Sequence, residues 1–108
     1  MWLYVSGGFL SMVAHRNDEG TLLVRARHPG HIASLFPDAA ITHMPTADYP
    51  FRVNLPREVV KAVVANYLSQ MRYDNFKSSI DDNDYHDVCL NVWHTMWVYG
   101  ERHRNGGV

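Results

Sequence analysis

At Pro56 the spacing of apolar residues changes period. Just upstream, in Phe51-Arg52-Val53-Asn54-Leu55, apolar and polar residues alternate, as they do in a strand buried on one side. Downstream, Val59, Val60, Val63, Val64, Tyr67, Leu68 and Met71 recur at the helical period. Glu58, Lys61, Asn66, Ser69 and Gln70 fall on the other side. Pro56 itself suits a first helical turn, where its missing N–H costs nothing. Strands therefore dominate the chain before this point and helices after it.

The first half divides at its turn residues. Residues 2–5 (WLYV) and 9–16 (FLSMVAHR) are aromatic and β-branched runs split by Ser6-Gly7-Gly8, which reads as a hairpin whose glycine supplies positive φ. Asn17-Asp18-Glu19-Gly20 is a second turn, and TLLVRAR a third strand of the same antiparallel meander. His28-Pro29-Gly30 ends that strand. Ile32, Leu35 and Phe36 then mark a short helix closed by Pro37. AAITHM and YPFRVNL read as fourth and fifth strands. A last helix starts near Asp84, with Tyr85, Cys89, Val92, Trp93 and Met96 as its apolar stripe and Gly100 as its end. The order βββ-α-ββ-α-α predicts an α+β fold: a five-stranded antiparallel sheet with helices mainly on one face. Residues 1–100 form a single domain on this reading, and 101–108 a polar tail.

Composition narrows the function. Of 108 residues, 46% are hydrophobic and 19% charged, which suits a packed core and excludes a disordered tail. The core is modest, so a homodimer burying some of the aromatics is an expected partner state. A net charge of −1 gives no global attraction to nucleic acid or anionic membrane. One cysteine, Cys89, rules out an intrachain disulfide and any multi-cysteine metal site within the chain, and fits a reducing, cytoplasmic setting. The N-terminal run lacks a basic region and is broken by glycines and serines, which argues against a signal peptide or membrane span.

Residues 73–87, YDNFKSSIDDNDYHD, hold five aspartates. A calcium loop needs a central glycine and a terminal glutamate, and neither is present. Aspartates before an amphipathic run instead cap a helix and complement its dipole, so this stretch reads as a helix start. His86 and His94 lie eight residues apart, about 80° around a helix, and do not readily share one ion. His28 and His31 can meet around a turn, with His15 or His43 as neighbours, but no zinc motif is present. Cys89 falls on an apolar stripe, where a neutral thiol is favoured. Nucleophile-elbow, Walker and dinucleotide-binding spacings are absent. No catalytic, cofactor-binding or metal-ligating residue is assigned.

The constellation that does carry binding chemistry is cationic and aromatic. Arg25 and Arg27 share one side of the third strand, away from Leu22, Val24 and Ala26, and Arg52 likewise opposes Phe51 and Val53. With Asp48 and Tyr49 they suit an acidic partner, a phosphate or a stacked base. The competing expectation is a set of surface ion pairs with Asp48 and Asp74, worth little. The connector Arg72-Tyr73-Asp74-Asn75-Phe76-Lys77 adds Tyr73, Asn75, Phe76 and Lys77 as candidate contacts, with His86 beyond it.

The segments LLVRAR, ADYPFR, YDNFKSSI and YHDVCLNVW occur in this order along the chain. In this the sequence resembles a group of short proteins from bacterial, especially actinobacterial, genomes and their phages, over about residues 2 to 97. The resemblance brings no catalytic residues. It implies a compact stand-alone domain of mobile or phage DNA that works by occupying a host protein. The leading expectation is thus a small cytoplasmic binding protein, a regulator or phage-type inhibitor of a host (defence) system. The alternative is a module or enzyme for a phosphate-bearing small molecule. It would use Arg25, Arg27, Arg52 and Lys77 as anion contacts and Tyr49 or His86 as acid/base. A shallow aromatic patch favours the first, and a deep pocket holding the arginines favours the second.

Overall fold

A computed structural model describes residues 1–104 of the chain. They form two compact units, Met1–Arg72 and the segment from Tyr73 onward. The first holds strands β1 (Trp2–Val5), β2 (Gly8–His15), β3 (Asp18–Ala26), β4 (Thr42–His43) and β5 (Phe51–Pro56). It also holds helices α1 (Pro29–Leu35) and α2 (Arg57–Gln70). The second holds a single 3-10 turn (Lys77–Ser79) and helix α3 (Asn83–Glu101).

The sheet is antiparallel throughout and runs β1-β2-β3-β5-β4. The α+β class and the element order expected from the sequence are those of the molecule. Its register follows from the alternation. Leu10 and Met12 on β2, Val24 and Ala26 on β3 and Val53 on β5 turn to one side. There they meet Ile32 of α1, Phe36 just after it, and Val60 of α2. Leu10, Val24, Ala26 and Ile32 are fully buried. Leu10, Val24 and Ile32 each contribute roughly 1.5–3 kcal/mol from transfer alone, and the smaller Ala26 less. The apolar stripe of α2 is narrower than its sequence suggests. Val60 is buried and Val63, Val64 and Tyr67 pack against the core, whereas Val59, Leu68 and Met71 are exposed.

The first hairpin turns on Ser6 and Gly7, with Val5 opposite Gly8. Its second glycine is required mainly by close approach. A Cβ on Gly8 would lie 2.3 Å from Cγ of His31, so only glycine lets α1 settle against the hairpin. His31 Nδ1 accepts the Phe9 N–H at 3.2 Å, tying the two together. At the same end of α1, His28 Nδ1 accepts the Gly30 N–H, an N-cap followed by Pro29 in the first turn.

Several boundaries differ from the sequence reading. Helix α1 begins at Pro29, because His28 caps it rather than only ending the strand. The fourth strand is two residues, Thr42–His43, paired with Arg52 and Phe51. Pro56 is the last residue of β5 and stands just before α2 rather than inside it. In the second unit Asp82 caps α3, its Oδ1 accepting the Tyr85 N–H at 3.1 Å, with Asp84 in the first turn. The aspartate-rich stretch is thus a helix start. Tyr85 and Cys89 are buried, but Trp93 is 51% exposed and Met96 is exposed too. The expected stripe is therefore buried only over the first two turns of α3, and Trp93 is not a core residue. Glu101 closes α3, Arg102, His103 and Arg104 form a turn, and the rest of the expected tail, 105–108, lies outside the described residues.

Candidate functional site

Alternation along the strands decides what the side of the sheet away from α1 and α2 displays. Leu3 and Val5 turn towards the core, so Trp2 and Tyr4 do not; Leu10 and Met12 turn inward, so Phe9 and Ser11 do not. Pairing then aligns Trp2 with Ser11, Ser11 with Arg25, Arg25 with Arg52 and Arg52 with Thr42. One row thus crosses all five strands, a span of about 19 Å at the usual strand spacing.

Aromatic rings fill one end of this face. Tyr4 stacks on Phe9 at 4.7 Å, Trp2 meets the edge of Phe9 at 6.0 Å, and Tyr49 lies 6.4 Å from Phe9. Tyr49, from the segment before β5, is buried. Its ring carries the guanidiniums of both Arg25, at 4.6 Å, and Arg27, at 4.3 Å. Such cation–π contacts are worth about 0.5–2 kcal/mol each, more where water is excluded.

The charges are unevenly balanced. Arg27 pairs with Asp48 at 3.1 Å, and this hydrogen bond raises the guanidinium pKa further. Both partners are largely exposed, so the pair stabilises little. Arg25 donates from Nη2 to the Ser11 hydroxyl at 2.8 Å, and Arg52 reaches only the Met44 sulfur at 3.9 Å. Neither forms an ion pair with a carboxylate among the described residues. Their Nε atoms are shielded from water and lack a hydrogen-bond partner. Two like charges directly opposed across a ladder destabilise it by roughly 0.2–1 kcal/mol, and an unmatched buried donor costs about 1–3 kcal/mol.

No protein-family model matches this chain, and neither a curated protein nor a solved structure matches it. The chemistry of the face is accordingly read from its own residues.

Of the residues singled out in the sequence, Arg25, Arg27, Asp48, Tyr49 and Arg52 come together in the first unit. Tyr73, Asn75, Phe76, Lys77 and His86 belong to the second and are engaged there. Tyr73 and Phe76 lie 5.9 Å apart, Asn75 Oδ1 accepts the Ser78 N–H, and Lys77 Nζ sits 4.7 Å from the Trp93 ring centre. His86 Nδ1 lies 3.2 Å from Asp87. His28 and His31 do approach, with ring centres 5.2 Å apart, while each Nδ1 serves the backbone contacts described above. His43 instead stacks on Phe51, and His15 accepts the Asn17 N–H. Burial raises the Cys89 thiol pKa and opposes the thiolate.

Sequence reasoning missed Trp2, Tyr4, Phe9 and Ser11. The signal was present. The two-residue turn sets Tyr4 opposite Phe9, and inward Leu10 forces Phe9 to the arginine side. A separate concavity of about 660 Å³ lies by α2, lined by Met12, Leu22, Val60, Val64 and Leu68 with Lys61 at its rim. It contains none of Arg25, Arg27 and Arg52.

Proposed function

We propose that this protein acts by binding, presenting the Trp2 and Phe9 rings and the Arg25/Arg52 pair, with Tyr49 supporting Arg25 from beneath, to an acidic segment of a protein partner. The observation that carries this reading is the direct opposition of Arg25 and Arg52 with no carboxylate paired to either among the described residues. A partner carboxylate placed between them removes the repulsion and gives the guanidiniums the bidentate acceptors their geometry suits. The adjacent rings then supply apolar contact area next to the charge, the pairing of aromatic and arginine anchors typical of protein interfaces. A regulator or phage-type inhibitor that occupies a host protein is the biological form of this reading, and it leans on the sequence resemblance alone. Nothing in the reading calls for bond-making chemistry.

The test is titration of the full chain with peptides that place Asp or Glu beside an aromatic residue. Binding is expected to weaken steeply with salt and to be lost in the Arg25→Ala/Arg52→Ala variant while its thermal midpoint holds. Equal binding by that variant overturns the proposal. Tighter binding of inorganic phosphate or a nucleotide than of any peptide moves the site to the phosphate-ligand class instead.

A further inference from the structure

Helix α3 is 19 residues long, about 28 Å, and from Val88 to Gly100 it contains no Asp, Glu, Lys or Arg. Most of its apolar side chains beyond Cys89 nevertheless lie open. Trp93 and Trp97 are 51% and 48% exposed, and Leu90 and Met96 are exposed as well. Leu90, Trp93, Trp97 and Gly100 follow each other at spacings of three, four and three, which sets them in one seam along the helix. Gly100 is the odd member. Glycine is disfavoured in a helix relative to alanine, and Gly100 is still helical, one residue before the end of α3. Here no atom lies within 4 Å of where a Cβ would stand, so nothing within the described chain needs the gap.

We propose that this seam is the contact surface of a homodimer in which α3 of one copy packs antiparallel against α3 of a second. Two observations select a second copy in that orientation. The first is charge. The helix begins among Asp81, Asp82, Asp84 and Asp87 and ends among Arg102, His103 and Arg104, where Glu101 is already bonded to Arg104. Antiparallel packing lays each acidic start beside the basic end of the other copy and opposes the two helix dipoles. Parallel packing would gather both sets of aspartates at one end. The second is shape. With the two-fold axis between Trp93 and Trp97, Trp93 of one helix meets Trp97 of the other, and Gly100 receives the second copy's Leu90. The missing side chain then has a use, close approach. The inference does not rest on the sheet-face reading, since none of the residues in it belongs to that face.

Sedimentation velocity of the full chain over a dilution series decides the oligomeric state, and spin labels decide the orientation. The wild-type chain is expected to sediment as a dimer, and Trp93→Glu/Trp97→Glu as a monomer with unchanged far-ultraviolet dichroism. With Cys89 replaced by Ala, labels at Asp87→Cys and Glu101→Cys are expected to be close only in mixed dimers carrying one of each. A wild-type monomer at every concentration overturns the proposal. So does a folded double variant that remains a dimer, or a short distance between two labels at position 101. The label distances report on the arrangement whether or not the double variant folds. Peptide binding by the sheet face is expected to persist in the monomeric variant, so failure of one proposal is distinguishable from failure of the other.

Discussion

Arg52 illustrates how a side chain can be placed for something other than stability. It stands directly opposite Arg25, its Nε is shielded and unpartnered, and its strongest described contact is a methionine sulfur. Replacing it by methionine keeps the aliphatic stem while removing the repulsion and the unmatched donor. Arg52→Met is therefore expected to unfold at the same temperature as the wild type or higher, by the equivalent of about 0.5–1 kcal/mol. Differential scanning calorimetry checks this, and a clear loss of stability would mean that the guanidinium is structural. Tyr49 has the opposite standing, since it is buried and holds two guanidiniums on one ring. Its place was legible as a candidate from its neighbours Asp48 and Arg52, but its burial was not. Burial depends on how residues 44–50 fold back beside β5, where the Met44 N–H is bonded to the Pro50 carbonyl.

Among the elements, the two hairpins of the meander show how much a turn owes to what packs on it. Gly8→Ala is expected to destabilise the first unit by about 1–3 kcal/mol, because the new Cβ collides with the near end of the His31 side chain and pushes α1 off the hairpin. Chemical denaturation measures the loss. Restoration by a second change, His31→Gly, would confirm steric collision as the cause. The start of β3, just past the β2–β3 turn, is instead held by a carboxylate. Asp18 accepts the Thr21 hydroxyl at 2.7 Å and the Gly20 N–H at 2.9 Å, and these bonds, the hydroxyl first, lower its pKa below the ordinary 3.8. A carboxyl whose folded pKa is depressed contributes above the unfolded value and loses that contribution as pH falls through the folded one. The start of β3 is thus expected to loosen only below pH 3.8. A carbon-detected titration of Asp18 with amide exchange at Gly20 follows it, and an Asp18 midpoint above that value would contradict the assignment. Helix α3 departs furthest from its sequence reading. Its periodicity identified the helix and its cap, yet its second half is open where the stripe promised burial.

For the whole molecule, the two units carry surfaces of different character. One combines arginine and aromatic side chains on the first unit, and the other is an uncharged apolar seam on the second. Both proposals are interface proposals, and together they describe a small chain that associates through one element and recognises through another. None of its described helices is long and apolar enough to cross a membrane.

Local physics is what the residue string settles without help. Alternation in Phe51–Leu55, the helical period after Pro56 and the aspartates before Tyr85 fixed element type and the α3 cap, because each depends on residues within a few positions. Tertiary structure alone decided which apolar stripe is covered. Amphipathicity states that a helix has a face able to pack, and only the shape and reach of the surrounding chain provide something for it to pack against. The same holds for Arg25 and Arg52, which are 27 positions apart in sequence and become neighbours through strand register.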